Sequence, residues 1–570
     1  MNFAAHPWFS EPYVTLLLGI FFLLLAVLLP RVSERFFQPV ESFFSRFAAH
    51  KVLAAIFLFL LVITVRLALL NQLPVPNPGI HDEFGYLLMG DTFAHGRLAN
   101  PPHPLWRSFE TFHILWFPTY ASKYPPAQGV VLAAGELLGH PWISVLLCAA
   151  GMAAAFVWML QAWLPARWAF LAGVLAAIRL CVASYWINSY WGGALAALAG
   201  ALVLGSFGRL RRKPSALSGL LLGLGIAILV NCRPYESVFF GGAIVIGLFF
   251  LLRGLPAPEV RVACIRVVLP AAGVLLLTFS GMAFYNWRVT QNPLTPPFTV
   301  PSRLPNRAAI FLWQAPGPPV HYGIPELDYF YNQSEVVRYD RSLHALRSAF
   351  QEKLQRCESV YFWPACWLLL PFAFFLYRDR RLRLLFLVLL ANVFSYCLVV
   401  WPGPHYLAPA AAVWFALLVE CIRRLRTFRP FGRPVGAALS RLILLALVFD
   451  VSQLVVQQIS DPQGWGGWGL YDRAQLQDTL ESTPGKHVVL VHYGPGHSVH
   501  EEWVFNGADI DGSRVIWARD LPGERNDQLF AYYPDRSIWR VTPETNQVSL
   551  LRAPLVPRST EAKSTASPRR

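Results

Sequence analysis

The chain has 570 residues, of which 55% are hydrophobic and only 14% charged, with a mean hydropathy of +0.42. Soluble globular domains carry about one-quarter charged residues, so this composition excludes that class, together with disorder, collagen and disulfide scaffolds. A formal charge of +15 would point to nucleic acid in a soluble protein, but here the basic residues sit in short loops between apolar runs and mark membrane orientation.

In chain order, apolar runs long enough to cross a hydrocarbon core of roughly 30 Å predict twelve membrane helices. They lie at about 13–30, 52–71, 141–163, 166–186, 190–208, 215–232, 237–252, 266–285, 359–377, 384–401, 405–422 and 437–456. The first run lacks a basic lead and a small-residue cleavage site, so it reads as a retained span. The eight cysteines contain no CxxC pair and fall in or beside apolar runs, indicating neither a zinc site nor a disulfide framework. Lys and Arg number 22 in the loops 31–51, 164–167, 209–213, 253–266, 378–383 and 423–441, against Arg233 alone in 187–189, 233–236 and 402–404. The positive-inside rule therefore places the termini and the long loops 72–125 and 286–358 outside the cytoplasm, on the periplasmic face in a bacterial inner membrane.

The stretch 127–139 is apolar but too short to span, and reads as a half-buried helix before the third span. Past Ser460 the composition turns hydrophilic. HVVLVHY (487–493) and RVIWA (514–518) are strand candidates separated by Gly, Pro and Asp turn signals. The expected organisation is a membrane domain over 1–459, a small extracytoplasmic α/β domain over 460–555 and a disordered tail over 556–570.

The chemistry should lie in the loops that share one face. HDEFGYLLMGDTFAHGRL (81–98) puts adjacent carboxylates, Asp82 and Glu83, just after the second span, at the start of an amphipathic interfacial helix. A bland reading makes Asp82 the cap of that helix and Glu83 a partner of its dipole; a catalytic reading needs support elsewhere. That support comes from Arg66, Arg179 and Arg233, ionisable residues within or at the ends of apolar helices, where each costs roughly 2.5–3.5 kcal/mol unless paired or hydrated. Snorkelling is the alternative for each. Grouped near a carboxylate pair, they suggest a pocket for an anionic headgroup, since guanidinium binds phosphate bidentately. SKYPPAQG (122–129) adds Lys123, SYWINSYWGG (184–193) adds Asn188 among aromatic rings, NCRPYE (231–236) adds Glu236, and WPGPHYLAP (401–409) adds His405 and Tyr406. In the hydrophilic region His497, His500, Glu501 and Glu502 read as a solvated polar loop, with a metal cluster as the alternative.

HDEFGY (81–86) with Gly96, KYPP (123–126), SYWGG (189–193), RPYE (233–236), NWRVTQNPLTPPF (286–298) and HYLAP (405–409), in this order, resemble the C-type (GT-C) superfamily of polytopic glycosyltransferases. Within it they resemble the protein O-mannosyltransferases and the lipid A aminoarabinose transferases. The resemblance covers about 70–420 and implies transfer of a hexosyl or pentosyl group from a polyprenyl-phosphate carrier to a lipid, glycan or protein acceptor, with inversion. It implies Asp82 as general base, Glu83 orienting it or binding a divalent cation, and Lys123, Arg179, Arg233 and His405 stabilising the phosphate leaving group. The Lys-Pro-Pro pattern of the family stands here as Lys-Tyr-Pro-Pro, which displaces Lys123 by one residue. The resemblance also implies acceptor contact for the appended outer domain over 460–555, as such domains tend to make in this superfamily. The competing readings are a transporter or flippase for an anionic or lipid-linked substrate, which would set its polar groups at the bilayer midplane, and a non-catalytic assembly or sensor protein.

Overall fold

The computed structural model describes residues 12–554 apart from 29, 31, 183, 192, 301–309, 316, 336–339, 362–365, 367, 368, 375 and 461–469. The expected disordered tail at 556–570 lies outside the described residues. Among the described residues, seven helices are long and apolar enough to cross a membrane: Lys51–Ala68, Pro141–Leu160, Gly193–Leu210, Pro234–Arg253, Ala257–Thr290, Pro404–Leu425 and Val435–Ser460. A bent pair, Leu370–Arg378 with Arg383–Leu398, raises the number to eight if counted as one span. The expectation of twelve is thus not reached by length and composition. Pro12–Leu28, Ala166–Leu180 and Ala216–Cys232 coincide with expected spans but are shorter, and 359–377 falls partly outside the described residues.

Sequence explains where these helices begin. Ser215 caps Ala216–Cys232 by accepting the Ser218 N–H, and Pro141 occupies the first turn of Pro141–Leu160, where a missing donor costs nothing. The bundle is layered by burial. Gly193–Leu210 is 83% buried over its apolar window and Ala257–Thr290 only 17%, so the first is a central helix and the second presents its apolar surface outward to lipid. Small residues let the central helix approach its neighbour closely: a methyl group on Gly200 would lie 2.0 Å from the Pro409 carbonyl oxygen, which fixes the HYLAP turn against the bundle.

One element was not anticipated. Residues 31–51, expected as a connecting loop, contain the 18-residue helix Val32–Ala49. Its exposed Phe36, Val40, Phe43 and Phe44 recur at helical spacing, while Glu41 on the opposite side bonds Arg426 (2.8 and 2.9 Å) and Arg441 (2.9 and 3.0 Å). An apolar stripe opposite a charged one is the pattern of a helix lying in a membrane interface.

The two long loops cover one end of the bundle. The first opens with helix His81–Ala94, followed by a short antiparallel ladder, Ile114–Leu115 with Ala121–Ser122, and by the half-helix Ala127–Leu137. Gly129 permits that half-helix to close on the first, because a methyl there would lie 2.3 Å from Met89. The second loop contributes Pro325–Tyr329 and the 19-residue helix Leu343–Tyr361.

The hydrophilic region forms a small sheet domain. Four strands, His487–Val491, Val515–Arg519, Ser537–Thr542 and Gln547–Arg552, are here β1 to β4 and pair in the order β2-β1-β3-β4. β1 is parallel to β2 and β3, and β4 closes the edge antiparallel to β3. β1 and β2 are buried along their length, as the unbroken apolar run HVVLV requires of a central parallel strand. The domain sits on the loops rather than apart from them. Phe505 stacks on Phe84 with centroids 4.2 Å apart, Asp91 accepts the Ala508 N–H at 2.6 Å, and Tyr120 donates to the Asn506 carbonyl at 3.1 Å.

Candidate active site

The acidic pair is divided by the first loop helix into two different environments. Helix His81–Ala94 is capped by Glu83, whose Oε2 accepts the N–H groups of Gly79 (2.8 Å) and Ile80 (3.3 Å) while Oε1 accepts that of Tyr190 (2.9 Å). Both oxygens are therefore occupied by backbone donors, and burial pushes this carboxyl up to about 7 despite them. The bland reading of the pair holds for Glu83 and not for Asp82, which points away from the helix end. Glu83 is a structural anchor in this geometry, not the orienting or ligating neighbour that the resemblance implies.

Asp82 instead meets three groups of the first outer loop that are not among the catalytic or binding candidates. Tyr124 donates its hydroxyl to Oδ1 at 2.5 Å, His81 Nδ1 lies 3.0 Å from Oδ2, and His113 Nε2 lies 4.0 Å from Oδ2. Burial alone would push the Asp82 carboxyl up, but His81 and the Tyr124 hydroxyl outweigh it and hold the carboxyl well below the usual range. Tyr124 is pushed well above its usual range, first by burial and then by Asp82, and stays a donor. His113 is pushed well below its usual value by burial, then by Lys123 and His81, and stays neutral. It is held at φ 64°, a left-handed conformation that costs a residue with a Cβ roughly 1–2 kcal/mol.

Aromatic rings roof this cluster. Phe112 and Phe330 pack on His81 at centroid distances of 5.2 and 5.3 Å, and His500 of the sheet domain reaches within 5.9 Å of both His81 and Phe330. The other polar residues of the same segment go elsewhere. His497 pairs with Glu544 at 2.6 Å, Glu502 with Arg519, and Glu501 is exposed, so the four do not form a metal cluster. Among the described residues, His81, Asp82 and His113 do offer three ligand atoms within 4.8 Å of one another. His81 Nε2 and His113 Nδ1 are buried without a hydrogen-bond partner, and two imidazoles with a carboxylate are a donor set that fits a divalent cation.

Cationic groups divide into committed and uncommitted. Arg66 donates to the carbonyls of Leu73 (2.7 Å) and Pro74 (3.0 Å) and to Asn188 Oδ1 (3.2 Å), so Arg66 and Asn188 tie off the end of a span and leave the expected headgroup pocket. Arg179 bonds Asp450 at 3.1 Å and the carbonyls of Ser359 (2.5 Å) and Val360 (3.1 Å), which makes it an interhelical tie as well. The reason is the same for both: a guanidinium inside an apolar bundle must satisfy its own donors. Arg233 and Lys123 differ. Among the described residues neither side chain makes a hydrogen bond; Arg233 lies 5.4 Å from the Tyr406 ring and Lys123 5.4 Å from the Tyr124 ring. Arg233 and Asp82 act electrostatically on the same Tyr86, with Glu236 beside them. Burial draws the Lys123 ammonium down to about 8 against the opposing charges of Asp82 and Glu335. His405, buried, contacts the Tyr185 hydroxyl at 3.2 Å and stacks near Tyr406 and Trp191.

Beside Tyr406 an apolar cavity opens, lined by Leu354, Tyr361, Leu389, Val393, Leu407 and Trp414 among others. Tyr396 stands between, its ring 6.4 Å from that of Tyr406, and Lys353 seals one wall by donating to the carbonyls of Tyr396 (2.7 Å) and Val399 (2.5 Å). The arrangement therefore joins an ionised, half-buried carboxylate, two cations without a hydrogen-bond partner among the described residues, and an apolar groove at one end of a membrane bundle.

Neither a family model nor a curated protein matches the chain. Among solved structures it is similar to ArnT from Cupriavidus metallidurans bound to undecaprenyl phosphate, with 13% identity, a TM-score of 0.48, and coverage of 85% of this chain and 93% of that one. It is also similar to the oligosaccharyltransferase AglB from Archaeoglobus fulgidus in complex with an inhibitory peptide and a dolichol-phosphate, with 12% identity and a TM-score of 0.45. That match covers 77% of this chain, which spans only 62% of the length of the archaeal enzyme.

Proposed function

We propose that this chain is a membrane glycosyltransferase that moves a sugar from a polyprenyl-phosphate carrier to an acceptor hydroxyl at the outer membrane surface. The observation that carries the reading is Asp82, a half-buried carboxylate kept ionised by His81 and Tyr124 and set in the same electrostatic neighbourhood as the guanidinium of Arg233. The ordered loop motifs of the C-type superfamily support it.

In this reading Asp82 accepts the acceptor hydroxyl proton while the oxygen attacks the anomeric carbon, and the bond from that carbon to the carrier phosphate breaks with inversion. The departing phosphate needs positive charge more than a proton. Arg233 and Lys123 provide it, with His405 and Tyr406 shaping the headgroup pocket and Glu236 holding the orientation of Arg233. The apolar groove beside Tyr406 takes the first isoprene units of the carrier. His81, Asp82 and His113 would hold a divalent cation, whose chemistry there is electrostatic support for the carrier phosphate. The sheet domain closes the roof on which the acceptor rests, and the active face is the outer face of a bacterial inner membrane.

The test is release of carrier phosphate by purified protein in nanodiscs, offered a panel of polyprenyl-phosphate sugars and acceptor extracts. Asp82→Asn should lower turnover by about 10²–10⁴-fold with carrier binding retained, the range that a positioned general base supplies. Unchanged turnover in this variant would remove Asp82 from the role. Movement of labelled lipid across proteoliposomes with no released phosphate would support a flippase instead.

A further inference from the structure

Three segments that share no sequence neighbourhood converge on one buried side chain outside the Asp82 cluster. Arg519, the last residue of β2, donates Nε to the Glu110 carbonyl in the first outer loop at 2.6 Å. Its Nη1 pairs with Glu326 of the second outer loop at 3.2 Å, and its Nη2 bonds Glu502 within the sheet domain itself. The side chain is 2% exposed. Glu502 in turn accepts the Tyr493 hydroxyl and the Val504 N–H, the latter at 2.9 Å, so the segment 493–505 is bound to the same arginine.

What this segment carries explains why the clamp matters. His500 lies against His81 and Phe330, and Val499 is buried in a cluster with Phe112, Tyr322, Ile324, Leu327 and Phe330. Phe112 precedes His113, and Glu326 lies in the turn that leads to Phe330. The three arms of Arg519 therefore end on the three segments that furnish the roof over Asp82: 110–113 with its neutral histidine, 322–331 with its aromatic ring, and 493–505 with its histidine. A planar guanidinium can hold three acceptors in fixed directions, which a flexible ammonium cannot.

We infer that Arg519 is a positioning residue that locks both outer loops and the sheet domain into one rigid roof over the Asp82 cluster, so that the sheet domain is a part of the transfer site and not an appendage. The role in transfer rests on the glycosyltransferase reading; the mechanical coupling does not. Replacing Arg519 takes the counter-charge from Glu502 and Glu326 and the N–H donor from the Glu110 carbonyl, and all three segments should loosen together.

Hydrogen–deuterium exchange on the full chain in nanodiscs reads this without any substrate. Arg519→Gln should raise exchange at least fivefold in peptides covering 108–115, 320–331 and 494–505 at once. Arg519→Lys should restore 494–505 but not the other two, because one charge without a fork reaches one carboxylate. Glu326→Gln, which leaves Arg519 and Glu502 paired and so keeps the domain folded, should release only 320–331. In the transfer assay Arg519→Gln should lower kcat tenfold or more while KM for the carrier stays within twofold. Loosening confined to 494–505 in Arg519→Gln overturns the clamp. Simultaneous loosening with unchanged kcat keeps the clamp and overturns its role in positioning, and wild-type protein without turnover counts against the transferase reading alone.

Discussion

Asp82 and Glu83 are neighbours in sequence with opposite electrostatics, and the difference comes from what each oxygen accepts. Glu83 takes three backbone N–H groups in a buried site and still ends near 7, whereas Asp82 is held low by side chains that donate to it. A depressed carboxyl is ionised through the whole neutral range, so the acid limb of the proposed transfer should lie well below neutrality. Removing a donor should raise the carboxyl and move that limb to higher pH. Tyr124→Phe deletes one hydrogen bond to a charged acceptor, worth roughly 1.5–3 kcal/mol and hence about one to two pH units. The expected result, measured in chelator so that no cation titrates with it, is an acid limb displaced upward while turnover above neutrality changes by less than tenfold. A limb that stays in place would mean that Asp82 is not the titrating base. Asp82, Lys123 and Arg233 stand out in the sequence as candidates because adjacent carboxylates and intramembrane cations are rare. The convergence of His81, His113 and Tyr124 on Asp82 is not visible there, since it depends on how a loop of some forty residues returns on itself.

At the scale of elements, the apolar runs told where helices lie more faithfully than how many cross the membrane. Ala166–Leu180 ends six residues short of its expected boundary because the following aromatic turn packs instead of continuing the helix. Val32–Ala49 was hidden because its basic residues read as a loop under a rule that counts charge and ignores the interval between Phe36, Val40 and Phe43. Arg179 was misread as a headgroup ligand because its partner, Asp450, is 271 positions away. That pair ties Ala166–Leu180 to Val435–Ser460 inside the bundle. Asp450→Leu should destabilise the protein by about 3–5 kcal/mol, because it leaves Arg179 without that carboxylate in an apolar setting. Arg179→Met added to it should recover part of the loss and not all, since the carbonyls of Ser359 and Val360 then lose their donor. Thermal unfolding in detergent of the two single variants and the double reads the coupling; strict additivity would show that the pair is not a functional unit of stability. The groove beside Tyr406 makes a second element-scale claim. Val393→Trp should fill it and raise KM about tenfold for a long-chain carrier, leaving a soluble short-chain analogue unaffected. Equal effects on both would separate the groove from the lipid tail.

The whole molecule has a polarity that the single residues inherit. Everything assigned to chemistry lies at the end of the bundle covered by the two long loops and the sheet domain, while Glu41, Arg426 and Arg441 and most of the short basic loops gather at the other. Twelve spans are expected from the sequence and, among the described residues, seven or eight helices satisfy the length criterion, so the number of crossings does not by itself fix which end is outside. The charge bias supplies an expectation instead, because short loops rich in Lys and Arg are retained in the cytoplasm. Cysteine labelling tests this directly. In a background with the eight native cysteines replaced, His321→Cys, at a ring 93% exposed in the second long loop, should react with a membrane-impermeant maleimide on intact cells. Arg380→Cys, exposed in the short basic loop before Arg383–Leu398, should react only after permeabilisation. The reverse pattern would put Asp82 on the cytoplasmic face, where the carrier sugar would have to be used before crossing the membrane, and the proposed acceptor would then have to be sought there. Labelling of both sites on intact cells would mean that an even number of crossings, and not the single expected one, lies between residues 321 and 380, and the broken segment Leu370–Arg378 would be the first place to look, since a re-entrant turn there returns the chain to the side from which it came.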